Sequence, residues 1–479
     1  MWFALWSFRE DVYLDFQEKG LALSGRWGDR WLPMPAPPVV EALRRMCLGP
    51  ISLENVITRA ADAKALNRIL VQLHPMVIRS YGPDKGQALL SVVPMSAQAR
   101  FRPAPLRLEA PVRLSRFVSI ASDGRDWRME SPLCLHRVVL HHAQAMSLVG
   151  GLSRPALPSK LTPISMRFVQ CLLDIGMVVQ ASGTGDFEED ADPVHRAWTP
   201  LNLMFHSRTT QGRHDHDFGQ THRLSHRVIE PVVKPPVGDN HVDLPRPGWQ
   251  KLIATDPPLI AALEAANTKP ACGGRAPTID DLGELLYRTV RVRSLTGDED
   301  GTSTLATSDR PYRSAGGTYG LEVYVTVSAC AGVQKGVYHY DPLAHRLTLV
   351  TIRGDKLLEN SRQSANLAAD PPVLVTLTAR FRRQSWKFNG LSYALLLKDV
   401  GALTQTFLLV SAAIGLSAGV LDSSDVDVTA GILGLDWLSE SGVGGLVIGE
   451  TSDDRPDDTQ ETYPVNDREW SAYGKSLMC

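Results

Sequence analysis

Apolar and polar residues change their period several times along the chain, and each change predicts an element. Alternation around Val12 to Leu14 and Leu21 to Leu23 predicts short strands, and the opening residues before Arg9 read as a further strand. Helical spacing follows from Val39 to Leu48 and again at Leu66, Ile69, Leu70 and Leu73, before the apolar pair Val77 and Ile78. The same order returns after about one hundred residues. Its second copy has Phe117 to Ile120, Trp127 to Met129, a helical stretch from Ala143 to Leu152, a helix with Phe168, Cys171, Leu172 and Ile175, then Met177 to Val179. Helix, helix, strand in each copy predicts two winged-helix-like α+β units, over 1–110 and 111–182. Two plain α+β packing units fit the pattern equally well.

From Gly183 to Asp192 the chain turns acidic, and from Val228 to Pro258 prolines 231, 235, 236, 245, 247, 257 and 258 predict an extended connector. A linker and arm over 183–242 thus separates the tandem units from a domain expected over 243–450. Within that domain Thr278 caps a predicted helix through Tyr287, Leu321 to Val327 and Val373 to Phe381 predict strands, and Gln405 to Leu416 predicts a buried helix. Val400 to Leu421 carries no charge, but Thr404, Gln405, Thr406, Ser411, Ser417 and three glycines interrupt it. Such a stretch suits a core helix better than a membrane span. The tail over 451–479 is polar and acidic.

Composition adds limits. Across 479 residues, 50 basic and 52 acidic side chains give no field for nucleic acid or membrane. The length exceeds one typical core. Six scattered cysteines without a CxxC pair predict reduced thiols and a cytoplasmic protein. Six of 13 histidines fall between His195 and His226, yet no regularly spaced third ligand accompanies His214 and His216, so no metal site is expected.

Several segments of the C-terminal half resemble the SagB-type peptide dehydrogenases. Arg310, Tyr312, Ser314, Ala315, Gly316, Gly317, Tyr319 and Glu322 follow that family's loop and strand, and Gly336 to Pro342 with His345 follow its hairpin. Lys387 to Ala394 aligns with a run in which Lys-Tyr precedes Tyr-Arg. The stretch around Gln405 to Leu416 matches the core helix, and Leu433 to Asp436 matches a Leu-Gly-Leu-Asp turn. His206 to Asp215 is similar to an arm that packs on the enzyme domain in these relatives.

The resemblance implies an α+β nitroreductase-like fold, FMN, a homodimer, a precursor peptide as substrate and a cyclodehydratase partner. Its chemistry is oxidation of peptide thiazolines or oxazolines to azoles in ribosomal peptide biosynthesis, hydride passing to flavin while a base takes the proton. It assigns catalysis to Lys387 and Tyr393, since a lysine desolvated beside a flavin has its pKa lowered. Cofactor contacts fall to Thr268, Lys269, Arg310, Ser314, Ala315, Gly316, Gly317 and Glu322, the small residues letting backbone approach a flat ring. Departures cluster at functional positions. Ala266, Asn267, Thr268, Lys269 and Pro270 align with an Arg-Arg-Ser-x-Arg phosphate clamp, Phe388 replaces a tyrosine and Ala394 an arginine. They leave open a flavin-poor, non-redox scaffold or peptide-binding subunit.

Overall fold

The computed structural model describes residues 3–83, 88–224, 230–266, 276–297 and 306–450. Contacts divide the chain into two units, 1–216 and 217–479.

In the N-terminal unit strands from both stretches, 1–110 and 111–182, form one sheet. Its antiparallel order is Phe3–Phe8, Val77–Gly82, Leu90–Pro94, His136–Leu140, Trp127–Glu130 and Ser119–Ser122. The strands 90–94 and 136–140, one from each stretch, form the seam. A separate meander of Tyr13–Gln17, Gly20–Ser24 and Arg30–Pro33 covers the first stretch. Two apolar clusters form: one with Leu21, Leu43, Leu66 and Leu70, the other with Val138, Val149, Phe168 and Leu172, to which Leu89, Leu90 and Val92 of the first stretch also belong. The helices Pro37–Leu48 and Ala60–Gln72, then Ala143–Gly151 and Pro163–Asp174, lie where the three-and-four spacing places them.

The imidazole-rich part of the arm, up to His216, is tied into this same unit, while Gly219–Gln220 further along it pair with Phe388–Asn389 within the C-terminal unit. Asp215 is ion-paired to Arg9 at 3.0 Å and to Arg137, and Glu130 receives Arg208 at 2.7 Å and His216 at 3.2 Å. Arg213 donates to the Pro132 and Leu133 carbonyls. His214 spends Nε2 on the Thr210 carbonyl. These imidazoles and carboxylates are thus bound to protein groups.

The C-terminal unit is built on a seven-stranded antiparallel sheet in the order His241–Asp243, Arg346–Thr351, Gly336–Asp341, Leu321–Val327, Val373–Arg380, Glu440–Glu450 and Leu416–Leu421. Both faces are covered, so the central strands Leu321–Val327 and Val373–Arg380 are buried at every position. Val323, Val325, Val375 and Leu377 face the helix Ile279–Val290 and the long helix Ser392–Ala413. On the other face Tyr324, Val337 and Leu374 meet Leu357, Leu358 and Leu433.

Thr278 caps the helix Ile279–Val290 through a reciprocal box with Asp281. The long helix ends at Ala413 rather than continuing to Leu416, because Gly415 turns the chain with φ of 73° and Leu416 opens a strand. Among the described residues it is the one helix long and apolar enough to cross a membrane. Its Leu403 and Phe407 are fully buried in the sheet's core. Gly434, at φ 66°, closes the helix Val426–Leu433 in a left-handed cap, where a Cβ is costly. The proline-rich connector also holds a short helix, Trp249–Thr255, fitted between Pro247 and Pro257.

Candidate functional site

The loop 314–319 begins as an anchored turn. Ser314 Oγ donates to Asp399 Oδ2 at 2.7 Å, and the Ala315 N–H donates to Oδ1 at 2.9 Å. Asp399 projects from the long helix and is buried. Burial pushes its carboxyl above the usual range, against the opposing hydrogen bonds from Ser314 and Ala315. Gly316 and Gly317 follow with φ of 64° and 67°, and Tyr319 is left-handed at 44°. A tyrosine holds that conformation only when its surroundings fix it. Here its N–H donates to Ser314 Oγ at 3.0 Å, its hydroxyl donates to the Tyr312 carbonyl at 3.1 Å, and the two rings meet edge-on.

The helix Phe381–Lys387 brings the next residues to that loop. Lys387 Nζ donates to the Gly316 carbonyl at 2.9 Å. Phe388 lies beneath: a Cβ on Gly316 would stand 2.8 Å from its ring, which is why glycine is required there. Gly316 itself is exposed, so bare backbone beside an ammonium faces outward. Two donors on the same helix, Gln384 Nε2 and Trp386 Nε1, are buried without a partner. Tyr393 sits on the first turn of the long helix, 46% exposed, with its ring 6.0 Å from Phe381.

Arg310 and Glu322 belong to a different environment. Glu322 is 2% exposed, 2.9 Å from Arg380 Nε and 3.1 Å from His339 Nε2. Burial alone would raise its carboxyl, but Arg380, the His339 hydrogen bond and Arg310 outweigh it and hold it at about 2. Arg310 spends its guanidinium on Ser308 Oγ at 3.2 Å and the Val232 carbonyl at 3.3 Å. Arg383 gives Nε to Thr318 O at 2.6 Å and its two amino groups to the Glu230 and Ala306 carbonyls, each at 2.8 Å. Burial, with Arg380 and Arg310 nearby, lowers it to about 10.

The structure therefore brings Ser314, Ala315, Gly316, Gly317 and Lys387 together and places Arg310 and Glu322 in a buried ionic cluster. Thr268 and Lys269 lie outside the described residues. Asp399, Gln384, Arg380 and Arg383 escaped the reading of the sequence. Asp399 had a signal: it falls on the apolar stripe of Leu396, Leu403 and Phe407, where an acid must have a buried partner. Arg383 had none, since its partners are carbonyls from distant segments.

Two family models match the chain: the cyanobactin oxidase ThcOx over residues 112–215 and the nitroreductase family over 302–450. The C-terminal unit carries a nitroreductase-family domain. A protein of Methanocaldococcus jannaschii named for the nitroreductases is 28% identical over 141 residues, covering 29% of this chain and 65% of its own length. The trifolitoxin-processing protein TfxB of Rhizobium leguminosarum is 28% identical over 141 residues, covering 28% of this chain and 38% of that protein. The chain thus spans less than two thirds of either relative. Among solved structures, the Escherichia coli microcin synthetase McbBCD complex with truncated pro-MccB17 overlaps 53% of this chain and 92% of the matched one, at 18% identity and a TM-score of 0.33. With the oxidase model on the N-terminal unit and the nitroreductase model on the C-terminal one, the resemblance to SagB-type dehydrogenases holds in both units.

The residues of the nitroreductase-family domain fit the ring end of FMN. Exposed glycine backbone can approach a flat ring with Lys387 Nζ held on the Gly316 carbonyl, and Gln384 Nε2 and Trp386 Nε1 on the adjoining helix are buried donors without a partner. No phosphate clamp is found among the described residues: Arg310 is turned inward and Ala266 ends a short helix.

Proposed function

We propose that this chain matures ribosomally made peptides, acting as an FMN-dependent dehydrogenase that converts peptide thiazolines or oxazolines to thiazoles or oxazoles. The observation that carries the reading is Lys387 Nζ fixed on the outward-facing Gly316 carbonyl of a nitroreductase-family domain. Its sequence match to a cyanobactin oxidase model and to a trifolitoxin-processing protein supports a peptide as substrate. When bound, FMN provides a two-electron acceptor.

The chain's own residues then have three tasks. Asp399 fixes the loop through Ser314 and Ala315, which sets the Gly316 carbonyl. That carbonyl orients Lys387 Nζ, which in its neutral amine form takes the proton that leaves the azoline carbon. Phe388 fills the space beneath the loop. The resemblance extends the proposal to a homodimer, a cyclodehydratase partner, a cytoplasmic setting and two winged-helix-like units over 1–110 and 111–182. A flavin scan of the purified full chain is the test. Absorbance at about 450 nm, with FMN released on denaturation, is expected; colourless protein that takes up no added FMN overturns the reading. The second reading, a non-redox peptide-binding subunit, is favoured by Ala266 and Phe388, which stand where relatives carry a phosphate-binding arginine and a tyrosine.

A further inference from the structure

The connector residues 230–234 make unusual contacts for a linker. They have no regular secondary structure and are held by their main chain. Arg383 Nη1 donates to the Glu230 carbonyl at 2.8 Å, and Arg380 Nη1 to the Pro231 carbonyl at 3.0 Å. The Val232 carbonyl receives both Arg310, at 3.3 Å, and Arg380, at 3.4 Å. Two residues on, Lys234 Nζ donates to Tyr324 Oη at 2.7 Å and to Glu440 Oε2 at 2.5 Å.

Three further facts bear on what these contacts do. The arginines are 1–5% exposed, so the floor under the segment is built and its orientation is fixed by Glu322, which holds Arg380. No residue of the segment joins an apolar core, and Val232 and Val233 are only half-buried. Glu230 is an imperfect fit, since its Oε2 is buried with no hydrogen-bond partner. A strap whose purpose is stability buries apolar side chains; this one is held by carbonyls that any extended peptide has, and by one cation.

We propose that Arg310, Arg380, Arg383 and Glu440 form a binding groove for an extended peptide, read through three successive carbonyls and a cation two residues after the last of them, and that residues 230–234 fill it as an exchangeable internal occupant. The ligand class is an extended basic peptide. This deepens the peptide-maturation reading and rests on it for the identity of the incoming chain.

The tethered segment competes at an effective concentration in the millimolar range, so an added peptide is excluded until the tether is weakened. The test is fluorescence anisotropy of a blocked, labelled peptide copying residues 230–236, titrated with the full-length chain and with Lys234→Glu, whose charge Glu440 repels. Binding to the variant at least about tenfold tighter than to the parent is expected, and a peptide with glutamate in place of its lysine should not bind. Lys234→Met keeps the apolar stem and serves if the first variant fails to fold; it should show the same gain at smaller size. Equal binding to the parent and to folded Lys234→Met overturns the proposal. The readout needs neither flavin nor turnover, so a negative result here leaves azoline oxidation standing, and absent turnover leaves this binding result standing.

Discussion

Two neighbouring regions of the C-terminal unit use the same residue types to opposite ends. At the loop 314–317 charge faces outward: Lys387 caps an exposed glycine carbonyl, and one buried carboxylate, Asp399, holds the turn from behind. A few residues away, Arg310, Arg380 and Arg383 face inward, engaged with carbonyls, the Ser308 hydroxyl or Glu322. An outward charge is free to act on a ligand. Inward charge has already used its hydrogen bonds to hold segments together, and removing it leaves uncompensated partners.

The largest expected effect lies in the inward region. Arg383→Met strands three carbonyls and, at about 1–3 kcal/mol for each buried acceptor left unpaired, should destabilise the C-terminal unit by about 3–5 kcal/mol in urea unfolding. If it costs less than about 1 kcal/mol, the contrast between the regions fails. Lys387→Met is the counterpart on the outward side. It should reduce azoline oxidation by about a hundredfold or more, while the urea midpoint stays near that of the parent.

Acid should also separate the regions. The Glu322 carboxyl lies at about 2 when folded against an ordinary 4.5, so its contribution is complete above pH 4.5 and is lost as pH falls toward 2. Stability of the C-terminal unit should therefore decline across that interval, and Glu322→Gln should flatten the decline. A variant with an unchanged slope would remove Glu322 from the network's account. Smaller still is Asp399→Asn, which keeps one acceptor for the loop and should cost about 1–2 kcal/mol. Its turnover should fall more than its stability, because the Gly316 carbonyl loses its fixed position. Least affected should be Tyr393→Phe: at 46% exposure its hydroxyl is expected to change turnover by less than about tenfold.

Much of the fold was legible because period alone reveals buried faces. The strand Leu321–Val327 and the Thr278-capped helix stand where apolar spacing and a capping residue placed them. The helix end at Ala413 was missed, since Ile414 and Leu416 continue the apolar run and only the conformation of Gly415 breaks it. In the candidate site, Ser314 to Gly317 and Lys387 were readable by resemblance to a family loop. Arg310 and Glu322 were read with them from the same family run, and the sequence does not tell which buried partners such residues meet. Glu322 points to the face that His339 and Arg380 share. The arm was read as packing on the enzyme domain; its Gly219–Gln220 do pair with Phe388–Asn389 there, while Arg9, Arg137 and Glu130, remote in sequence, bind its earlier residues within the N-terminal unit.

The most direct test of the central claim is mass spectrometry of an azoline-bearing peptide incubated with the full chain and added FMN. Loss of about 2 Da per ring, dependent on FMN and abolished in Lys387→Met, is the predicted result. An unchanged peptide mass in the presence of bound FMN would contradict it.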